Sequence, residues 1–252
     1  MILNIITVTK DDLEGLKKTL ISTKQFREEN GILQVIIDSS TGENKEKVIS
    51  HLQNEKNIRY YWQEPLGISA AFNLGLQKAE ADWVWLLNGG DEVHASLDAK
   101  LFLNILTFNS SDAIIFQIEY AQSKKIIKHP PMWALWPPLL SWVPHPATIT
   151  RKYLYDRYGF FEESLKIAMD YEYWVRCFSR DEVVVDLVSM PIARFDQIGT
   201  FFGLEHLTRA EVSGIIRKYV WLIIKKWLKN GLILIRSLKA SSNFLKKLKK
   251  SL

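Results

Sequence analysis

The first ninety residues alternate two signals, and that alternation narrows the possible folds more than any other feature of the chain. Short β-rich apolar runs stand at LNIITV (3–8), LQVIIDSS (33–40), NIRYYWQE (57–64) and DWVWLLN (82–88). The segments between them have helical character. LEGLKKTLISTKQF spaces Leu13, Leu16, Leu20 and Ile21 along one stripe, NKEKVISHLQNE follows the second run, and GISAAFNLGLQKAEA opens after Pro65 and Gly67. Strands alternating with helices at this spacing predict an α/β domain on a mostly parallel sheet, with right-handed crossovers and helices on its faces. In such sheets a ligand sits in the crevice beyond the carboxyl ends of the strands. Thr9, Asp38 and Asp91 all fall at or just past such ends.

The second half is less regular. DAIIFQIEY (112–120) reads as a strand, ESLKIAMDYEYWVRCFSRD as a helix with acids early, and EVVVDLVSMPIARF as a late strand. The prolines of PPMWALWPPLLSWVPHP (130–146) exclude one long helix, so this stretch is expected to be a loop lining an apolar surface. A hydrophobic fraction of 47% against 24% charged residues is that of a globular protein and argues against disorder. One cysteine, Cys177, excludes an internal disulfide and a cysteine zinc cluster; it is expected to be packing, in a reducing and therefore cytoplasmic setting. No secretory leader is expected from MILNIITVTKDDLEG, and no stretch reaches the roughly 18 unbroken apolar residues of a membrane span.

The stretch VWLLNGGDEV (84–93) puts an acid where a strand ends. Asn88-Gly89-Gly90 allows a sharp turn and close approach of a ligand, and Asp91 follows at once. A hard cation such as Mg²⁺ or Mn²⁺ is typically bound by one or two carboxylates, with diphosphate and water completing the shell. On these residues alone Asp91 also reads as a turn or capping residue, and Asp170 in AMDYEYW as the cap of its helix. Glu92 is expected to be solvated, and Arg194 to meet a phosphate or pair with an acid.

Four ordered blocks resemble the family 2 inverting glycosyltransferases with the Rossmann-like, A-type nucleotide-sugar fold. They are IITVTKDD, QVIIDSSTGEN, EPLGISAAFNLGLQKAEADWVWLLNGGDEV and HPATITRKYLYDRYGFFEESLKIAMDYEYWVRC, within residues 1 to 203. The resemblance implies a nucleotide-sugar donor, UDP-linked in preference, held by Thr9, Asp38, Gly67, Asn73, Asn88, Gly90 and Asp91. Asp38 would accept from the imide N–H of a uracil or thymine, and Asp91 would hold Mn²⁺ or Mg²⁺ across the diphosphate. Asp170 would be the base that deprotonates the acceptor hydroxyl, with Glu172 as the other candidate carboxylate; His145 would contact acceptor or diphosphate. The commoner family motif carries more acids than this one, where Asn88 and Gly90 take two of their places; a subset reads Asn-small-Gly-Asp, as here. FDQIGTFFG (195–203) resembles the glycine loop after the family's last strand, with Ile198 in place of one glycine.

Charge divides the chain. From Arg217 onward there are 11 basic residues and no acid, leaving 22 basic against 28 acidic before it. The expected organisation is a catalytic domain over 1–210 and a basic amphipathic helical tail over 211–252, with residues 217–252 on an anionic membrane surface. Trp221, Ile224, Leu228 and Leu232 form the apolar side. Large aliphatics between the lysines argue against nucleic acid as the partner. The expected activity is sugar transfer to a glycan or lipid-linked acceptor in cell-surface polysaccharide synthesis, peripheral on the inner membrane face. The alternative is a non-catalytic relative that binds nucleotide sugar or glycan. A dinucleotide enzyme is disfavoured, because TVTKDDLEG stands where Gly-x-Gly-x-x-Gly would follow the first strand.

Overall fold

The computed structural model describes residues 1–129, 143–195 and 205–248, with side chains on the last helix from 207 to 229. Strand β1 (Leu3–Thr9) pairs in parallel with β2 (Ile32–Asp38) and β4 (Trp83–Asn88), and β3 (Ile58–Trp62) adds in parallel beyond β2. Helices α1 (Leu13–Arg27), α2 (Gly42–Leu52) and α3 (Ile68–Lys78) connect them. All seven residues of β1 are buried, which is why a strand covered on both faces reads as a continuous apolar run. Its side chains divide with period two. Leu3 and Ile5 join Trp83, Trp85, Leu87, Phe26 and Phe102, whereas Ile6 and Val8 join Val84, Leu86, Phe72 and Leu76 on the opposite face.

The sheet then changes character. Beyond β4 come β8 (Thr148–Arg151), β6 (Ala113–Tyr120), β9 (Val185–Phe195) and β5 (Glu92–Val93), with β7 (Ile126–Ile127) on β6. The pairs β4–β8, β8–β6 and β5–β9 are antiparallel and β6–β9 is parallel, so the sheet is parallel through its first four strands and mixed thereafter. Helix α4 (Ala99–Phe108) covers one face through Phe102 and Leu106. Helices α5 (Tyr153–Tyr158) and α6 (Met169–Phe178) cover the other, where Tyr155 and Tyr173 stack at 4.5 Å.

Three boundaries differ from the sequence expectation. Helix α6 begins at Met169 rather than near Glu163, because the N–H groups of residues 166–168 are taken by a carboxylate from elsewhere in the chain. The late strand begins at Val185. The last helix, α7 (Glu205–Leu248), starts ahead of the charge change, so the division at 210/211 falls inside a continuous helix. Ile215 and Ile223 of α7 are buried against Ala168, Tyr171 and Val175. Among the described residues no helix is long and apolar enough to cross a membrane. Cys177 is buried in the core, where burial pushes its thiol up to about 12. Of the aromatic loop expected at 130–146, residues 130–142 lie outside the described residues, as do the loop containing Ile198 and the Leu232 side chain.

Candidate active site

Strand register carries the predicted polar residues to one edge of the sheet. Thr9 stands opposite Asp38 across β1–β2, and Val8 opposite Asn88 across β1–β4. Asp38 is fully buried; its carboxylate accepts the Ser40 N–H at 2.8 Å and the Tyr60 hydroxyl at 3.0 Å. Burial first, and the Asp38 charge second, hold the Tyr60 phenol well above its ordinary range. The loops after β1, β2 and β3 are tied together around this point. The Asp11 N–H donates to Ser40 Oγ at 2.8 Å, and the Trp62 indole donates to the Ser40 carbonyl at 2.8 Å with Lys45 over its ring. Asp11 adopts φ +52 and accepts from Asn44 Nδ2 at 3.1 Å. Tyr60 and Trp62 were not singled out in the sequence, although period-two alternation along β3 puts them on one face, with Trp62 in register with Asp38.

The turn after β4 is built by its own residues and by α1. Asp91 Oδ2 accepts from the Asn88 backbone N–H at 2.8 Å and from Asn88 Nδ2 at 3.0 Å. Gly90 has φ +107, and a Cβ on Gly89 would sit 3.3 Å from Thr9 Oγ1, so the turn passes tightly beneath Thr9. From α1 the Thr19 hydroxyl donates to the Asp91 carbonyl at 2.6 Å and receives the Gly90 N–H at 2.9 Å; Ser22 Oγ receives the Val93 N–H at 3.0 Å. Thr19 and Ser22 left no signal in the sequence beyond their place on the inward side of a helix. Asn88 Oδ1 is buried without a hydrogen-bond partner. Glu92 pairs across the β5–β9 ladder with Arg194 at 3.7 Å, and Arg194 also lies 3.7 Å from Glu119, so this arginine meets acids.

A second group gathers where α3 begins. Gly67 opens α3 at φ +110 with open space where a Cβ would be. Two residues on, Ser69 Oγ donates to the Leu165 carbonyl at 3.1 Å and lies 3.0 Å from Met169 Sδ, which sets the first turns of α3 and α6 side by side. Asp170 is in that turn of α6. It is half-buried, accepts the Tyr171 N–H at 2.7 Å, and burial pushes its carboxyl up to about 6. An acid in that range is mostly ionised at neutral pH yet basic enough to take a proton.

Three other residues singled out in the sequence have different surroundings. Asn73 spends its amide on the protein: Nδ2 donates to the Phe161 carbonyl at 3.0 Å and to Glu163 at 2.9 Å, while Oδ1 accepts the Phe161 N–H at 2.9 Å. It is an interior clamp. Glu172 is also interior, paired with Arg176 at 2.9 Å and bonded by the Tyr219 hydroxyl. His145 is buried among Phe72, Phe161 and Trp174, with neither ring nitrogen hydrogen-bonded, and burial pushes its imidazole down to about 4. The ring is neutral where it stands.

The model of glycosyl transferase family 2 matches residues 4–172, more than half of the chain and the span from Thr9 to Asp170. The chain belongs to glycosyl transferase family 2. Similar relatives are an uncharacterised glycosyltransferase of Mycobacterium tuberculosis in two strains, 31% identical over 90 residues, 35% of this chain and 33% of each relative. The match thus spans about a third of those relatives' length. Among solved structures, S. aureus TarS residues 1–349 in complex with UDP-GlcNAc superposes with a TM-score of 0.66 at 15% identity, over 88% of this chain and 66% of that one. The complex of the same TarS fragment with UDP gives 0.63 at 17% identity, over 78% and 60%. These likenesses show the fold: a curled mixed sheet flanked by helices, of the glycosyltransferase A-type.

Within this family 2 chain the described residues contain no cluster of three or more His, Cys, Asp or Glu that could hold a metal. What they do contain at the β4 turn is one carboxylate, Asp91, beside the unpartnered carbonyl oxygen of Asn88. Two hard oxygen donors fit a Mg²⁺ or Mn²⁺ ion that draws the rest of its shell from a diphosphate and water.

Proposed function

We propose that this chain transfers a sugar, with inversion, from a UDP-sugar to a hydroxyl of a glycan or lipid-linked acceptor. The observation that carries the reading is the convergence of Thr9, Asp38 and the Asn88–Asp91 turn on one sheet edge, with Asp170 beside the start of α3 at that same edge. Asp38 and Thr9 take the nucleoside, the open backbone at Gly67 and Gly90 faces the donor, and Asp91 with Asn88 Oδ1 would hold a divalent cation. That cation, when bound, supplies Lewis-acid stabilisation to the departing diphosphate. Asp170 accepts the acceptor's hydroxyl proton as its oxygen attacks the anomeric carbon from the face opposite the nucleotide. The bond from that carbon to the diphosphate oxygen breaks, and the electron pair leaves with UDP. UDP is favoured because S. aureus TarS of the same fold was solved with UDP and with UDP-GlcNAc.

The outer side of α7 supports a membrane-proximal acceptor. Trp221 is 80% and Leu228 65% exposed, with Ile224 between them and basic residues on either side. An exposed aromatic-aliphatic stripe within a basic helix suits an anionic lipid surface, and we place the enzyme peripherally on the inner membrane face, in surface-polysaccharide synthesis.

The test is thermal stability and UDP release with UDP-, dTDP- and GDP-sugars, with and without Mn²⁺. A ligand at 100 times its Kd adds about 2.7 kcal/mol to the folded state. The expected result is a Mn²⁺-dependent shift with one UDP-sugar, lost in Asp91→Ala, and acceptor-dependent UDP release, lost in Asp170→Asn. Nucleotide binding without release on any acceptor would favour the non-catalytic reading, for which the sparse donor set at Asp91 is the supporting observation.

A further inference from the structure

Ala168, which precedes α6, has no side chain able to accept from the helix's first N–H groups, and Asp170 itself accepts one of them, from Tyr171. The N–H groups just ahead of the helix, at residues 166–168, are held from α7, 43 residues beyond Ala168. Glu211 Oε1 accepts the Lys166 N–H at 2.9 Å, and Oε2 accepts the Ile167 N–H at 3.1 Å and the Ala168 N–H at 2.8 Å. One carboxylate therefore holds three consecutive peptide groups, ending two residues before Asp170. On the other side of Asp170, buried Glu172 is gripped by Arg176, by the Tyr219 hydroxyl and, at 3.6 Å, by Lys218. Ile215 and Ile223 fix α7 against Ala168, Tyr171 and Val175.

We propose that Glu211 is a positioning residue for sugar transfer: from α7 it fixes the backbone entering α6 so that the Asp170 carboxyl is presented to the acceptor in one place and kept from water. This inference rests on the assignment of Asp170 as the base. A cap for stability alone needs only a Ser, Thr or Asp at position 168. A brace from a distant helix instead makes the setting of the base depend on α7, the element whose outer side carries the exposed stripe. The charged and titratable groups around this turn are Tyr171, Glu172 and Arg176 on α6, Glu211, Lys218 and Tyr219 on α7, and Glu162, Glu163 and Lys166 in the incoming loop; α3 brings no charge in its first turn. Burial is what holds the Asp170 carboxyl up, so a turn loosened by loss of Glu211 admits water and lowers the pKa of Asp170.

The experiment compares the full chain with Glu211→Ala and Glu211→Gln in UDP-release kinetics across pH, beside Asp170→Asn. For Glu211→Ala we expect kcat to fall on the order of 100-fold, the scale that about 1 Å of misplacement costs. The donor KM stays within about twofold, as expected when an interaction made only in the transition state is lost, and the acidic limb of kcat/KM moves to lower pH. Glu211→Gln keeps the volume and one accepting oxygen, is expected to be intermediate in both respects, and is the variant read if the alanine form does not fold. An inactive Asp170→Asn together with wild-type kcat and an unmoved acidic limb in Glu211→Gln overturns the proposal and leaves the base assignment standing. Full turnover in Asp170→Asn removes the base assignment and this proposal with it.

Discussion

Asp170 is retained in a place where its charge is disfavoured, and that leaves a signature in stability as well as in rate. Its folded-state pKa is raised from 3.8 to about 6, so the folded protein holds this proton more tightly than the unfolded chain does. The resulting stabilisation is complete below about pH 4 and is lost as pH rises through 6. Asp170→Asn should therefore raise Tm at pH 7.5, by an amount equivalent to roughly 1–3 kcal/mol, and change it little near pH 4. The same substitution should lower kcat on the order of 10²- to 10⁴-fold, the range for removal of a general base. His145 has the opposite sign. Its folded pKa is depressed from 6.5 to about 4, so stability present above 6.5 is lost as pH falls toward 4, when a buried ring must charge. His145→Phe, into a cage of Phe72, Phe161 and Trp174, should leave the urea midpoint at pH 5 closer to its pH 7 value than in the wild type. Unchanged acid sensitivity in that variant would show that other groups govern it.

Among the elements, α3 shows most directly how the sheet and the site depend on each other. A Cβ on Gly75 would come within 2.3 Å of Ile6 Cγ2, so the helix lies against β1 as closely as a glycine permits. Gly75→Ala gains helix propensity but overpacks this contact, and a net loss of about 1–3 kcal/mol in urea unfolding is expected. The first four strands and the helices between them were legible because period two and period 3.6 are both strong there. The ends of those strands point, from the sequence alone, to Thr9, Asp38 and the turn of Asp91, which the register sets along one edge. Strand β8 and helices α4 and α5 were not separated out, being four, ten and six residues long and embedded in mixed sequence. The partners of Asn73 are hidden for a different reason. A buried amide satisfied by the Phe161 backbone looks, in sequence, the same as one left for a ligand. The brace from Glu211 was illegible in principle, since it joins residues 43 apart and follows from no periodicity.

At the scale of the molecule, α7 has two sides with different duties. Its inner side, with Ile215, Tyr219 and Ile223, belongs to the domain, and its outer side, with Trp221, Ile224 and Leu228, is bare. A chain ending at residue 229 should keep its Tm within a few degrees, because about 1 kcal/mol moves Tm only some 2–4 °C in a protein of this size. It should also lose part of its sedimentation with anionic vesicles, since each basic residue near such a surface contributes about 1 kcal/mol. A chain ending at 204 should be markedly less stable, as it loses the partners of Ala168, Tyr171 and Glu172 together. Binding to neutral vesicles as strong as to anionic ones would contradict the electrostatic part of this reading.

The topology has one further consequence, for the order in which the protein is made. Residues 92 and 93, directly after Asp91, are paired only with 193 and 194, at the far margin of the sheet. A nascent chain can pair β1 to β4 with one another as soon as they emerge, and β8 reaches the outer edge of β4 only later. The strand that pairs with the two residues after that turn leaves the ribosome a hundred residues later. Synthesis thus yields first the sheet edge with Thr9, Asp38 and the turn of Asp91, held from α1, and only afterwards Asp170, so a prematurely terminated product lacks the base proposed for transfer.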